Sequence, residues 1–273
     1  TLESFKVNKN TWVIKTQGEK EISFSYSVYA HVLSVRTSYL NSDFGLINGT
    51  SVFIYPKGKL DEPSKLKFVL PEAWKVSTTL KKPLKNQNEF EAVDYDQLFD
   101  SPFFLGTHKE FNFEAAGLNH RFAINEPTFY DEEQLKEDIS KIVSVQTDIF
   151  NDNPNEEYLF IVISHANGGG GLEHAESSTM IVDYFRLAEQ SSYRRFLGLV
   201  AHEYFHLWNV KRLRAKALGP FDYENENYTD LLWVMEGFTS YYGGKTLLRT
   251  GHSDENSFLN RIANSLEREY DRP

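Results

Sequence analysis

The sequence contains no cysteine. That excludes disulfides, thiolate nucleophiles and cysteine-based zinc sites, and it leaves the compartment open. Positive charge is in short supply too: 29 Lys and Arg stand against 39 Asp and Glu, a net charge of −10. With no cationic excess to neutralise phosphates, nucleic acid is not an expected partner. No apolar run approaches the length of a membrane span, so no transmembrane segment is expected. The N-terminus Thr1-Leu-Glu-Ser-Phe5 shows no secretory-signal pattern, which keeps cytoplasmic and periplasmic locations both open. The first residue is not Met, so a mature form or part of a longer chain is expected. What is present is globular composition: 273 residues, 40% hydrophobic and 15% aromatic, enough for a large core and two domains.

From Lys20 to about Arg121 the pattern is strand-like. Ile22, Phe24, Tyr26 and Val28 alternate with Ser23, Ser25, Ser27 and Tyr29, the period-2 mark of a half-buried strand. Further short strands are expected at Ser51–Tyr55, Lys65–Leu70, Phe111–Glu114 and Arg121–Ile124, punctuated by turns such as Asn48-Gly49 and Pro56-Lys-Gly58. Strands without intervening helices point to a β-sandwich-like domain. The character changes near Glu126-Pro127. Leu135, Ile139, Ile142, Val143, Gln146 and Ile149 recur at helical spacing, so Asp131–Phe150 reads as an amphipathic helix stopped by Asn151-Asp-Asn-Pro154. Tyr158–Ile163 is a continuous apolar run of strand length, the signature of burial on both faces. Thr179–Phe185 reads as another strand. Helices follow, the first capped by Ser191 or Ser192, the second spanning Leu231 to about Leu248 with Thr229 or Asp230 as cap, the third over 254–270.

The sharpest signal is His202-Glu-Tyr-Phe-His206, an H-E-x-x-H motif that this composition would yield about 0.02 times by chance. On a helix, residues i and i+4 lie one above the other, so both imidazoles can reach one metal ion. Glu203, offset by one residue, can act on a water there as general base without being a ligand. A buried amphipathic helix carrying two histidines by accident is the bland alternative, since Leu197, Val200, Ala201, Phe205 and Trp208 would pack it. Two histidines leave a catalytic zinc one protein ligand short of the usual three. Glu236 is favoured as the third because it lies among Leu232, Trp233, Met235 and Phe238, where an ionised carboxylate is costly unless paired or metal-bound. Its competitors Glu224 and Glu226 sit in the polar loop Asp222–Tyr228. Gly168, Gly169, Gly170 and Gly171 form a side-chain-free stretch along which an extended substrate could lie as an added strand. His165 and His174 flank that stretch. His31, His108, His120 and His252 have no partners at metal spacing and read as structural or solvated. Lys211-Arg-Leu-Arg214 is expected to complement the dipole of the metal helix, with a substrate carboxylate as the other reading.

His202-Glu-Tyr-Phe-His206 followed by Trp233-Val-Met-Glu-Gly-Phe238 resembles the gluzincin peptidases, whose third zinc ligand lies in such a second helix. The intervening stretch, Leu207 through Glu224, and Gly168-Gly-Gly-Gly-Leu-Glu-His174 resemble the glycyl aminopeptidase family, metallopeptidase family sixty-one. The resemblance spans about residues 160–245. It implies zinc, one ion per chain, and an aminopeptidase that releases small N-terminal residues from a peptide with a free N-terminus, with Glu173 receiving the α-amino group. It also implies an α+β multidomain fold: a β-sandwich-like N-terminal domain at 1–125, then a thermolysin-like catalytic region at 126–273, truncated at its C-terminal end. Further helices and a PDZ domain would follow, and with them the oxyanion-stabilising Tyr, since Tyr241 and Tyr242 lie in the helix of the Glu ligand. The competing functions are a non-catalytic peptide-binding module on the same fold, a zinc endopeptidase and a zinc epoxide hydrolase.

Overall fold

In the computed structural model the described residues are 2–82, 88–126, 128–166, 168–183 and 187–270, the side chains of 269 and 270 excepted. Pro127 and the Tyr184-Phe185 end of the expected strand Thr179–Phe185 lie outside them. Chain order begins with β1 (Ser4–Lys6), β2 (Trp12–Ile14), β3 (Tyr39–Leu40), β4 (Phe44–Ile47), β5 (Ser64–Lys67), β6 (Lys75–Ser77), β7 (Glu89–Ala92), α1 (Tyr95–Asp100) and β8 (Phe103–Gly106). It continues with β9 (Lys109–Ala115), β10 (Leu118–Ile124), α2 (Glu132–Phe150), β11 (Glu157–Ser164), β12 (Gly171–Glu173) and β13 (Ser177–Val182). The last three helices are α3 (Gln190–Phe205), α4 (Leu232–Arg249) and α5 (Glu255–Tyr270).

A five-stranded sheet in the order β12-β13-β11-β10-β9 sits at the centre. β11 pairs in parallel with β10 and β13, while β9 and β12 close the two edges antiparallel. The run Tyr158–Ile163 fills the middle strand, and its two faces serve different cores. Tyr158, Phe160 and Val162 pack with Leu135, Ile139 and Ile142 of α2 and with Phe196, Leu197, Val200 and Tyr204 of α3. Leu159, Ile161 and Ile163 pack with Val35, Phe44, Leu46 and Phe104 of the N-terminal part. A strand covered on both sides has no position for a polar side chain, which explains the unbroken apolar run.

In the N-terminal part a four-stranded sheet, β3-β4-β8-β6, and a two-stranded sheet, β5-β7, share a core of Val76, Phe90, Ala92, Phe103 and Leu105, closed by Tyr95 and Leu98 of α1. Two sheets meeting through interleaved apolar side chains make the sandwich-like arrangement expected from the sequence. Two expected strands are absent from it. Ile22, Phe24, Tyr26 and Val28 are all exposed, and their segment pairs with no strand among the described residues. Alternation sets two faces of a strand but names no partner for either edge, and here the serine-bearing face is exposed as well. Ser51–Tyr55 is not a strand either. A short 3-10 helix covers Gly49–Ser51, where Asn48 accepts a hydrogen bond from the Thr50 N–H. A Cβ on Gly49 would stand 2.8 Å from the Phe99 carbonyl oxygen, so only glycine lets the turn lie against α1.

The central sheet also crosses the division expected between residues 125 and 126. Strands β9 and β10 look like one more N-terminal hairpin in sequence, yet Phe111, Phe122 and Ile124 join the core beneath α2 and α3. Helix α2 begins where expected: Asp131 accepts from the Glu133 and Gln134 N–H groups, and Asn151 ends the helix in the left-handed region at φ 50°. The cap of α3 is Glu189, not Ser191 or Ser192, whose hydroxyls instead donate to the Glu189 carboxylate. The cap of α4 is Leu231, whose N–H donates to the Thr229 hydroxyl. No helix among the described residues is long and apolar enough to cross a membrane.

Candidate active site

Helix α3 is fixed by burial before any ligand is considered. Phe196, Leu197, Val200 and Tyr204 are buried against the central sheet, each side chain stabilising the position by roughly 1.5–3 kcal/mol relative to exposure. Gln146 of α2 donates to the Ala201 carbonyl at 2.7 Å, a further link within the buried core. The opposite side of α3 meets α4 through glycine: a Cβ on Gly243 would lie 3.4 Å from the His202 backbone nitrogen, so the two helices approach closely there. Phe205 and Tyr242 stack beside the contact with centroids 5.0 Å apart, which gives Tyr242 a packing role.

This close approach brings three donors together. The Nε2 atoms of His202 and His206 are 3.1 Å apart. Glu236 Oε2 is 3.3 Å from His202 Nε2 and 3.9 Å from His206 Nε2. A tetrahedral shell with bonds of 2.0–2.1 Å spaces its ligands by about 3.3 Å, so this triad fits zinc. The proton inventory fits as well. His206 Nδ1–H donates to the Asn209 carbonyl at 2.8 Å, which turns the unprotonated Nε2 toward the other two donors. Burial lowers the pKa of His206, favouring the neutral imidazole that a metal ligand must be. Contact with His202 outweighs partial burial and holds the Glu236 carboxyl below its ordinary range.

Glu236 reaches this place for a reason other than the one its neighbours suggest. Its side chain is 58% exposed, and Leu232, Trp233 and Phe238 beside it are exposed too. The carboxylate is therefore not a buried charge in need of a partner. The rival carboxylates are elsewhere: Glu224 pairs with Lys57 at 3.1 Å and Glu226 with Lys9 at 3.3 Å.

Glu203 is 4% exposed and lies against β12. A Cβ on Gly171 would stand 2.1 Å from Glu203 Oε1, so glycine at 171 makes the space that the carboxylate occupies. Burial, then the charges of Glu173 and Glu236, push the Glu203 carboxyl up to about 9. A divalent cation among these carboxylates would oppose that shift. Gly168 is also sterically required, since its Cβ would meet the Val182 carbonyl oxygen at 2.6 Å. Gly169 and Gly170 meet nothing within 4 Å, although Gly170 has φ 113°. Among the described residues strand β12 pairs with β13 alone and forms one edge of the sheet. Its Glu173 places a carboxylate oxygen within 4.8 Å of donor atoms of Glu203 and His206, a second group able to hold a cation. The first triad, whose three atoms lie within 3.9 Å of one another, includes both histidines of the motif.

The other histidines fall away from the centre. His165 is exposed. His174 is buried, with Nδ1 3.2 Å from Asp100 Oδ1. His120 Nε2 lies 3.1 Å from the Tyr204 hydroxyl, His252 Nε2 2.9 Å from Asp138, and His108 Nε2 2.6 Å from the Ser77 hydroxyl. His31 bridges to Tyr39 in the N-terminal part. In the basic run, Lys211 pairs with Asp100 at 2.8 Å, and Arg212 donates to Asn155 at 2.7 Å. Asn209 adds a link between the two helices. Besides accepting from His206, it donates to the Met235 carbonyl at 2.8 Å and the Thr239 hydroxyl at 3.0 Å, joining the end of α3 to α4 next to Glu236. An asparagine inside a polar insert carries no signal that would single it out.

Comparison with known proteins matches the two ends of the chain to two descriptions. A Peptidase M61 N-terminal domain model matches residues 1–107, and an M61 glycyl aminopeptidase model matches residues 195–273. No curated protein matches. Among solved structures, an aminopeptidase N family protein from Idiomarina loihiensis is 33% identical with a TM-score of 0.85, over 94% of this chain and 46% of that one. An M1 zinc metallopeptidase from Deinococcus radiodurans shares the fold at 14% identity and a TM-score of 0.58, over 90% of this chain and 55% of that one. The chain thus spans about half the length of these two structures. Its fold is the expected one, a β-rich N-terminal domain followed by a thermolysin-like region.

Proposed function

The chain belongs to the M61 glycyl aminopeptidase family, and from that premise we propose that it is the catalytic part of a zinc aminopeptidase acting on peptides with a free N-terminus, small residues such as glycine first. The observation that carries the proposal is the convergence of His202 Nε2, His206 Nε2 and Glu236 Oε2 within 3.9 Å, with Glu203 and Glu173 on the β12 side. His202, His206 and Glu236 would hold zinc, which supplies Lewis acidity toward a carbonyl oxygen and toward water. Glu203 takes the proton of the attacking water and returns it to the leaving amine. The free edge of β12 pairs with the substrate backbone, as an added strand would. Glu173 accepts hydrogen bonds from the substrate ammonium, so that one residue precedes the scissile bond.

Glu173 carries the distinction between an aminopeptidase and an endopeptidase. A charge-assisted hydrogen bond to the ammonium is worth roughly 1.5–3 kcal/mol, so Glu173→Ala should lower kcat/KM for free-amine peptides by about 10–100-fold. N-acetylated peptides should be poor substrates for the parent enzyme and little changed by the substitution. Equal rates on free and acetylated peptides would identify an endopeptidase. Full zinc with no turnover of either would identify a binding module.

A further inference from the structure

Asp100, the last residue of α1, belongs to the N-terminal part, yet its carboxylate sits at the base of β12. Oδ2 accepts from the Ala175 N–H at 2.7 Å, two residues beyond Glu173. Oδ1 lies 3.2 Å from His174 Nδ1 and accepts from Lys211 Nζ at 2.8 Å. Lys211 in turn is tied to the end of the metal helix, its backbone N–H donating to the His206 carbonyl at 3.1 Å. A second bridge runs alongside the first. Arg212 donates to the Asn155 side-chain oxygen at 2.7 Å, and the Asn155 amide donates to the Ala175 carbonyl at 3.0 Å. Both backbone groups of Ala175 are therefore held through intermediaries that engage the loop leaving α3.

The arrangement matters because β12 is three residues long and has one neighbouring strand. So short an edge strand does not set its own position well against a helix. Glu173 must stand at a fixed distance from the ligand triad if it is to count one substrate residue. Lys211 and the donors around it keep Asp100 ionised, its carboxyl held down at about 2 against the cost of burial. An ionised carboxylate receiving a backbone N–H and an ammonium makes charge-assisted bonds, stronger than neutral ones and fixed in direction.

We propose that Asp100 is a positioning residue for substrate recognition: with Lys211 it locks the turn after Glu173 to the end of the metal helix and so sets the distance between the amine anchor and the metal ligands. This rests on the aminopeptidase reading of Glu173, and the N-terminal part then serves catalysis through α1.

The test compares Asp100→Ala, Asp100→Asn and Lys211→Met with the parent in the intact enzyme, using a glycyl amide substrate, zinc analysis and amide exchange. In Asp100→Ala, KM for the free-amine substrate should rise by about 10-fold while kcat stays within about 3-fold and zinc content is unchanged. Asp100→Asn keeps an acceptor for Ala175 but loses the charge facing Lys211, so it should fall between the parent and Asp100→Ala, near Lys211→Met. Exchange should quicken over residues 171–177 and stay unchanged in β10 and β11. A kcat loss at constant KM would overturn the proposal, because a general loss of folded enzyme has that signature. Unchanged exchange over 171–177 in the soluble Asp100→Asn protein would overturn it independently. If the parent itself fails to prefer free amines, the aminopeptidase reading falls, and the exchange result alone decides whether Asp100 positions the turn.

Discussion

The two helices that carry the proposed ligand triad are built differently. At the C-terminal end of α3, Glu203 is 4% exposed, the capping His206 1% and the His202 side chain 24%, and the helix is packed between the central sheet, α2 and α4. On α4, Glu236 is more than half exposed, and Trp233 one turn earlier is 68% exposed. One side of the site is thus immobilised by its core before any metal arrives. The other presents Glu236 from the exposed start of α4, whose inner face is held by the close packing at Gly243, the Phe205–Tyr242 stack, the buried Met235, Thr239, Thr246 and Leu247, and the hydrogen bonds of Asn209 to Met235 and Thr239. The α3 side therefore holds the proposed base and two of the proposed ligands. The α4 side offers the proposed third ligand, and its geometry depends on partners that approach from α3.

The most severe way to probe the rigid side is Glu203→Gln. The amide cannot take a proton from water, so kcat should fall by about 10²–10⁴-fold with zinc and fold retained. Retained turnover in a protein with one zinc would remove Glu203 as the base. The dependent side is probed at Asn209, where Asn209→Ala deletes the side-chain amide that donates to α4 and keeps the backbone carbonyl that accepts from His206. Zinc affinity should drop by about 10–100-fold, measured by competition with a chelator, while thermal stability changes little by comparison. A large loss of stability at unchanged zinc affinity would make Asn209 a packing residue only.

The glycine stretch offers the finest comparison, because two of its members have opposite surroundings. Gly171→Ala forces the Glu203 carboxylate off its site and should lower kcat by about 10-fold at full zinc occupancy, a displacement of roughly an ångström at the base. Gly169→Ala meets open space and should leave kcat and KM unchanged. Equal losses at the two positions would show that loop flexibility matters there, and not the space beside Glu203.

Much of this site was legible in the sequence because its key relation is short-range. The spacing of His202 and His206 dictates their convergence once a helix forms, and the buried residues of α3 ensure that it forms. Glu236 stands beside the two histidines for a reason that its apolar neighbours do not give: its side chain, with Leu232, Trp233 and Phe238, is exposed where they suggest burial. The side chains of α4 alone do not say which of their faces the protein covers. Asp100 and Asn209 carry no local signal, since the contacts each makes join separate elements of the chain. The same limit explains the N-terminal misreading. Ile22–Val28 has the local pattern of a strand, but a strand exists through its neighbour, and no local pattern supplies one. Phe111–Ile124 failed in the opposite sense: its hairpin is real, yet its apolar face belongs to the catalytic sheet, a fact carried by residues 157–182.

Among the described residues two groups of donors could hold a cation, and they share His206. Metal analysis of Glu236→Ala beside Glu203→Gln and Glu173→Ala separates them. We expect one zinc per chain in the parent, in Glu203→Gln and in Glu173→Ala, and the loss of most of it in Glu236→Ala. Full zinc in Glu236→Ala, with loss in Glu203→Gln or Glu173→Ala, would contradict the His202–His206–Glu236 site and move the metal to the β12 side.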